Sequence, residues 1–118
     1  MAKTENVIIY HNPRCTKSRE TLALLEKKKA KSQIIEYLKT PPTATELKSF
    51  LKKLGLSVQD IIRKKEPLFI EKFKDKKLSD EKWIEVLVKN PVLIERPIVV
   101  KGNKAVIGRP PENVLELL

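Results

Sequence analysis

Four short apolar runs constrain the fold of this chain more than any other feature of its sequence. Two lie near the amino terminus, at residues 7–10 and 34–38, and two lie near the carboxyl end, at residues 98–100 and 105–107. Such short runs, bounded by polar or turn residues, are typical of buried strands. Between the second and third runs the apolar residues follow a helical spacing instead. The chain therefore predicts an α/β fold with strands at both ends and helices in the middle.

The connections between the runs predict how the strands are oriented. A helix is expected to start near Cys15 or Thr16 and to end at about Lys29, and a strand, helix and strand in this order form a βαβ unit with parallel strands. Gly102 and Asn103 lie between the last two runs and indicate a hairpin, so those strands should be antiparallel. A last helix can start at residues 110–111, with its buried side formed by Val114, Leu115, Leu117 and Leu118.

Residues 43–92, approximately, are predicted to form helices. Thr43 and Glu46 match a capping box, and Gly55 can end that helix in the left-handed conformation. Further helices are expected after Ser57 and Ser79, because a serine side chain can cap a first turn. In the helix that begins after Thr43, the apolar stripe consists of Leu47, Phe50, Leu51 and Leu54.

The length and the order of these elements indicate one domain of a known kind. A chain of 118 residues is the size of a single domain. The order strand–helix–strand, then helices, then strand–strand–helix matches the thioredoxin fold with a helical insertion between its halves. We therefore expect a single thioredoxin-like domain over residues 1–118, with the insertion at about 43–92.

The composition gives a formal net charge of +10. Much of the excess lies in the lysine-rich stretches 27–29 and 74–77, which we interpret as a solvated surface. An excess of this size also raises nonspecific nucleic-acid binding as an alternative. Aromatic residues make up only 5% of the chain, which leaves little material for stacking on bases. We therefore do not expect nucleic acid to be a partner.

Cys15 is the single cysteine of the sequence. One cysteine forms neither an internal disulfide nor a thiolate-rich zinc site, so we expect no bound metal and a reducing compartment. The first apolar run is too short for a signal peptide or a membrane-spanning helix. The expected location is the cytoplasm, without membrane attachment.

The position of Cys15 favours a reactive thiol. It follows the carboxyl end of the first predicted strand, the edge where open α/β sheets tend to bind ligands. It also lies at the amino end of the first predicted helix, where unpaired N–H groups stabilise an anion and lower the pKa of a thiol. The alternative is a buried, inert cysteine, since free cysteines are among the most buried residues.

Neighbouring side chains could support this thiol. Arg14, Lys17 and Arg19 add positive charge nearby in the sequence, and Ser18 could point its hydroxyl toward the sulfur. His11 could influence the proton of the thiol or could hold the turn. The residues alone leave both roles of His11 open.

The run His11-Asn12-Pro13-Arg14-Cys15-Thr16-Lys17-Ser18-Arg19 resembles the active-site loop of the ArsC family, the glutaredoxin-linked arsenate reductases and their relatives. Segments 37–42, 61–65, 95–100 and 107–110 resemble further motifs of this family in the same order. The resemblance covers essentially the whole chain, and it is to a short form without the longer carboxyl-terminal tail of other members.

The resemblance implies a set of roles. Cys15 would be the nucleophile, and Arg63, Arg96 and Arg109 would bind the oxyanion, a task that suits planar, permanently charged guanidinium groups. The bond before Pro97 would be a cis peptide beside the cysteine. Arsenate or a similar oxyanion would be the substrate, glutathione the co-substrate and glutaredoxin the partner. We expect no bound cofactor and a monomer.

Two other functions use the same fold. Spx-type transcription regulators share it, but they typically carry a Cys-x-x-Cys motif, and Ser18 occupies the position of the second cysteine here. A glutathione-dependent thiol oxidoreductase with a different substrate would use the same Cys15. In every version with disulfide chemistry, the second thiol must come from another molecule.

Overall fold

The computed structural model describes residues 7–118, which form two compact units. The first unit contains residues 7–40 and 96–118, and the second contains residues 41–95. The second unit includes the stretch 43–92 that the sequence predicts to be helical. That the whole chain folds as one domain stays a prediction.

The first unit contains a four-stranded sheet in the order β2-β1-β3-β4. Its strands are β1 (Val7–His11), β2 (Ser32–Glu36), β3 (Ile98–Lys101) and β4 (Lys104–Ile107). β1 and β2 are parallel, whereas β3 is antiparallel to both β1 and β4. The predicted α/β fold class and both predicted strand orientations are confirmed.

The second strand lies two residues earlier than the apolar run that predicts it. Its pairing with β1 extends from Ser32 to Glu36, so Tyr37 and Leu38 lie beyond the strand. β2 is an edge strand, and the side chain of Ile34 is 47% exposed. Because an edge strand has less apolar burial than a central one, hydrophobicity marks its ends poorly.

Helix α1 (Thr16–Lys27) connects the two parallel strands, and Cys15 is its N-cap residue. The helix ends two residues before the predicted end, because Lys29 adopts a left-handed conformation with φ 58°. α1 packs with the 3-10 helix Pro111–Leu117 against one face of the sheet. The core of this unit consists of Val7, Ile9, Leu25, Val99, Val114 and Leu117.

The last helix is a 3-10 helix, and the side that it buries differs from the predicted one. Pro111, Val114 and Leu117 are buried, whereas Leu115 is 41% exposed and Leu118 is 45% exposed. A 3-10 helix has three residues per turn, so positions 111, 114 and 117 share one face. The expectation that Leu115 and Leu118 are buried is therefore wrong.

The second unit is helical. Its elements are α2 (Ala44–Leu54), the 3-10 helix Val58–Ile61, α3 (Pro67–Lys72), α4 (Asp80–Lys89) and the 3-10 helix Pro91–Leu93. Thr43 and Glu46 form the predicted capping box at the start of α2, and Gly55 ends that helix with φ 71°. Ser79 caps α4 as predicted, because its hydroxyl accepts a hydrogen bond from the N–H of Lys82. The apolar spacing does not predict α3, which is only six residues long.

None of the helices formed by residues 7–118 combines the length and the apolar character that crossing a bilayer requires.

Gly108 gives a test of how closely the segment after β4 packs against α1 and against the start of β3 in the first unit. A Cβ atom at this position would lie 2.5 Å from Oγ1 of Thr21 and 2.9 Å from Cγ of Pro97. We expect Gly108→Ala to lower the free energy of unfolding by about 1–3 kcal/mol through overpacking. Urea denaturation measures this change. Gly55→Asn is the matched control, since the space around Gly55 is open and Asn tolerates its left-handed backbone. Equal stability of Gly108→Ala and the wild type would contradict the close approach.

Candidate active site

Cys15 occupies the position that the sequence predicts, between the end of β1 and the start of α1. As the N-cap residue it has an extended backbone, with φ −94° and ψ 123°. Its backbone N–H donates to the carbonyl of Asn12 at 3.0 Å, which closes the turn between the strand and the helix. The residue is only 7% exposed, so the sulfur is buried at the amino end of a helix.

The side chain of Arg109 connects the carboxyl-terminal part of the chain to this sulfur. Its Nη2 atom lies 3.5 Å from Sγ of Cys15. Its Nε atom donates to the backbone carbonyl of Arg96 at 2.7 Å. One guanidinium group therefore contacts both the thiol and the residue two positions before β3.

The register of the sheet explains why these distant segments meet. Tyr10 pairs with Ile98, and Ile98 pairs with Ile107. The end of β1, the start of β3 and the end of β4 therefore lie at the same edge of the sheet. Arg96 precedes β3 and Arg109 follows β4, so both arginines start from the edge at which Cys15 follows β1.

The pKa of the Cys15 thiol is lowered from its ordinary value. Burial is the largest single influence, and it acts in the opposite direction by disfavouring the thiolate. A hydrogen bond from the backbone N–H of Ser18, a hydrogen bond and the positive charge from Arg96, and the charge of Arg109 together outweigh it. The thiolate, which is the nucleophilic form, is therefore stabilised in a buried place.

The hydroxyl of Ser18 has a different role from the one that the sequence predicts. It lies 2.6 Å from Nδ1 of His11 and accepts a hydrogen bond from the backbone N–H of Asn12 at 3.0 Å. The group of Ser18 that stabilises the sulfur is its backbone N–H. The prediction that the hydroxyl faces the thiol is wrong, because the two groups before the turn bind it instead.

His11 is buried and packs into this same turn. The pKa of its imidazole is lowered, first by burial and also by the charge of Arg19, although Glu36 acts in the opposite direction. A neutral imidazole on the Ser18 hydroxyl is placed to hold the turn. Whether His11 also moves a proton stays a prediction.

The cationic residues nearest to Cys15 in sequence act elsewhere. Arg19 donates to the carbonyl of Pro13 at 2.9 Å and to the hydroxyl of Thr16 at 3.3 Å, which braces the turn from outside. Lys17 forms an ion pair with Glu20 at 3.4 Å, and Arg14 is exposed. The charges that lower the pKa of Cys15 come from Arg96 and Arg109 instead.

Sequence reasoning missed Asn12 and Tyr37. Asn12 accepts the N–H of Arg14 through its side-chain oxygen at 3.0 Å, so it organises the turn. Tyr37 is 2% exposed, and burial raises the pKa of its phenol, while the charge of Arg96 acts to lower it. Asn before Pro is a turn signal that could have indicated the first residue. Tyr37 directly follows Glu36, which pairs with His11 at the end of the β1–β2 register. Its place beside the site therefore becomes evident only when the ends of the strands are known.

Arg63 belongs to the second unit. Its guanidinium forms ion pairs with Glu66 at 2.9 Å and with Glu95 at 3.8 Å. Its backbone N–H donates to the carbonyl of Leu93 at 2.7 Å. The role in oxyanion binding that the resemblance implies for Arg63 stays a prediction.

Pro97 lies next to Arg96 at the start of β3. The Arg96–Pro97 peptide bond is cis, as the resemblance implies, and the Arg109–Pro110 bond is cis as well. The carbonyl of Pro97 accepts the N–H of Gly108 at 2.9 Å. Among residues 7–118, no group of three or more His, Cys, Asp or Glu side chains is placed to hold a metal ion.

Comparison with known proteins identifies the family of this chain. The sequence profile of the ArsC family matches residues 10–117, which include every element of the site. This chain belongs to the ArsC family.

Three relatives of this ArsC-family chain align over nearly its whole length. The uncharacterized protein YfgD of Escherichia coli K12 is 50% identical, over 98% of each chain. An arsenate reductase of Haemophilus influenzae is 49% identical, over 96% of this chain and 99% of the relative. The solved structure of an arsenate reductase from Vibrio cholerae is 49% identical and has a TM-score of 0.93, over 98% of this chain and 100% of that one. The thioredoxin-like ArsC fold is thereby confirmed.

The pH dependence of Cys15 alkylation tests the electrostatics of the site. Because the thiolate reacts, the rate with iodoacetamide should rise with a midpoint below the reference value for a free thiol. Arg109→Gln and Arg96→Gln each remove a positive charge, so the midpoint should move to higher pH in both variants. Arg14→Gln is the matched control and should leave it unchanged. A wild-type midpoint at the reference value would contradict a stabilised thiolate.

Ser18→Ala separates the two roles of Ser18. The variant removes a hydroxyl that is fully buried and leaves the N–H of Asn12 without its acceptor. The free energy of unfolding should fall by about 1–3 kcal/mol. The alkylation midpoint of Cys15 should hardly change, since the backbone N–H of residue 18 is retained. A large upward shift of that midpoint would instead show that the hydroxyl stabilises the sulfur directly.

Proposed function

We propose that this ArsC-family chain reduces arsenate to arsenite through Cys15, with glutathione and glutaredoxin as the source of electrons. The observation that supports this most strongly is the guanidinium of Arg109 at 3.5 Å from the Cys15 sulfur. A nucleophile next to a fixed cation suits an oxyanion that must be both attracted and attacked. The arsenate reductases of Haemophilus influenzae and Vibrio cholerae among its relatives support the same substrate.

The first step would be nucleophilic attack. The Cys15 thiolate forms a bond to the arsenic of arsenate, and one arsenate oxygen leaves as water after protonation. Arg96 and Arg109 would hold the remaining oxygens and stabilise the charge that develops on them. The amino end of α1 offers backbone N–H groups to the same anion.

The second step would be the reduction. A glutathione thiolate attacks the sulfur of Cys15, and the bond between that sulfur and arsenic breaks. The electron pair of the broken bond stays on arsenic, which passes from arsenic(V) to arsenic(III). The two sulfurs each lose one electron and form a disulfide between Cys15 and glutathione. Arsenite leaves, and a glutaredoxin thiol then attacks the glutathione sulfur and releases Cys15 as a thiolate.

An external thiol is required because the chain contains one cysteine. Ser18 stands where a resolving cysteine would be in a Cys-x-x-Cys motif, and its hydroxyl is bound to the turn. The proposal therefore includes glutathione as co-substrate and no bound cofactor. A reducing compartment supplies that thiol, so we place the protein in the cytoplasm, acting as a monomer.

An arsenate-reduction assay with glutathione, glutaredoxin and a regenerating reductase tests the function. Wild type should turn over, and Cys15→Ser should be inactive because it lacks the nucleophile. Arg96→Ala and Arg109→Ala should each lower kcat/KM by roughly 100-fold, as expected when one charged donor to a transition state is lost. Arg63→Ala tests the third arginine, and Arg14→Ala is the matched control with full activity.

The assay also distinguishes the alternatives. Wild type that forms a Cys15–glutathione disulfide but releases no arsenite would indicate a thiol oxidoreductase with another substrate. Full activity without glutaredoxin would contradict that electron donor and leave arsenate as the substrate. Full activity of Cys15→Ser would contradict the mechanism itself.

A further inference from the structure

The second unit contains a cavity of about 730 Å³, and its lining residues all belong to that unit. This volume lies in the range of ligand-binding clefts. Its apolar lining consists of Phe69, Ile70, Leu78 and Trp83. Cationic side chains form most of the remaining lining, namely Lys64, Lys65, Lys74, Lys76 and Lys77.

The charge in this cavity is of one sign. No carboxylate is among the lining residues, and Asp75 lies between Lys74 and Lys76 in the sequence but not in the lining. Within residues 7–118, none of the five lysines forms an ion pair with a carboxylate. Five exposed ammonium groups around apolar surface attract an anion that also has an apolar part.

The lysines are divided between the two ends of α3. Lys64 and Lys65 precede the helix, and Lys74, Lys76 and Lys77 follow it. A helix of six residues is about 9 Å long. An extended peptide covers a comparable distance with about three residues. Because these two groups flank α3 in the sequence, we expect positive charge on both sides of the apolar lining.

The apolar lining of the cavity includes part of a cluster of aromatic rings. The rings of Phe69 and Trp83 are stacked with their centroids 5.9 Å apart, and Phe73 contacts Trp83 at 6.1 Å. Ile70 also lines the cavity, and it is 53% exposed although it is a large aliphatic side chain on a helix. An apolar side chain of a ligand would find partly uncovered apolar surface there.

We propose that this cavity binds an acidic peptide segment of a partner protein, in which Asp or Glu residues flank one or two large apolar residues. The carboxylates face the lysines at either end of α3, and the apolar side chains cover Ile70. A single-headed amphiphile such as a fatty acid would neutralise only one of the two lysine groups. Charge on both sides of the apolar contact therefore favours the peptide.

The fluorescence of Trp83 provides a direct test in the full-length protein, because this residue lines the cavity and is the single tryptophan of the chain. The probe is the synthetic peptide Ser-Gly-Glu-Asp-Leu-Phe-Asp-Glu-Gly-Ser, which contains no tryptophan. Titration should give a saturable change in Trp83 emission. Affinity should fall when the ionic strength is raised from roughly 0.01 M to 0.15 M, because salt screens exposed charges.

Matched variants separate this site from general attraction to a basic protein. Replacing Lys74, Lys76 and Lys77 with Gln should weaken binding by about tenfold or more, which is the loss of several attractive contacts at low salt. Replacing Lys27, Lys28 and Lys31 with Gln removes the same charge from the first unit and should cause less than a twofold change.

A second pair of variants tests the apolar contact. Ile70→Ser should weaken binding roughly fivefold, since it removes exposed apolar surface that the ligand would cover. Ile34→Ser is the control, because Ile34 is 47% exposed on β2 in the other unit, and it should bind like the wild type. Both isoleucines are substantially exposed, so these variants should fold.

Four outcomes would overturn the proposal. One is saturable binding of dodecanoate without binding of the peptide. Another is stronger binding of an oligothymidine strand than of the peptide. The third is an equal loss of peptide affinity in the two lysine variants, and the fourth is full binding of a peptide with its Asp and Glu residues replaced by Ser.

Arsenate reduction is assayed in parallel and should be unchanged in the Lys74, Lys76 and Lys77 variant.

Discussion

The arrangement around Cys15 depends on the two contacts that the guanidinium group of Arg109 makes. A guanidinium group is planar and holds several N–H donors in fixed directions, so one side chain can bind two groups at once. Here it joins the carbonyl of Arg96 to the sulfur of Cys15. The segment before β3, the segment after β4 and the start of α1 are thereby fixed to one another. A lysine, with a single flexible ammonium group, would not impose the same geometry.

This arrangement also shows that burial is compatible with a lowered thiol pKa in a cysteine. A thiol that is 7% exposed in apolar surroundings would normally stay protonated. The buried Cys15 instead faces the N–H of Ser18 and the charges of two arginines, and their sum exceeds the cost of desolvation. The same burial strengthens each electrostatic contact, because little water competes with it. Burial alone therefore does not identify an inert cysteine.

The two compact units differ in how they use positive charge. In the first, Arg96 and Arg109 act at short range on one sulfur. In the second, the lysine-rich stretch 74–77, which the sequence suggests is a solvated surface, contributes three side chains to a cavity with an apolar base. Exposed lysines are consistent with both descriptions. What the sequence could not show is that Ile70 and Trp83 lie among them, since α3 itself is not evident from the apolar spacing.

The sequence by itself determined the features that depend on residues a few positions apart: the capping box of Thr43 and Glu46, the end of α2 at Gly55, and Cys15 at the start of α1. Family resemblance, rather than physical reasoning, singled out Arg96 and Arg109. Only the tertiary structure decided that the Ser18 hydroxyl binds the turn, that Tyr37 is buried, and that Leu115 is exposed. These features depend on register and on contacts between distant segments. Arg109 and Cys15 are 94 positions apart, and no local pattern records such a distance.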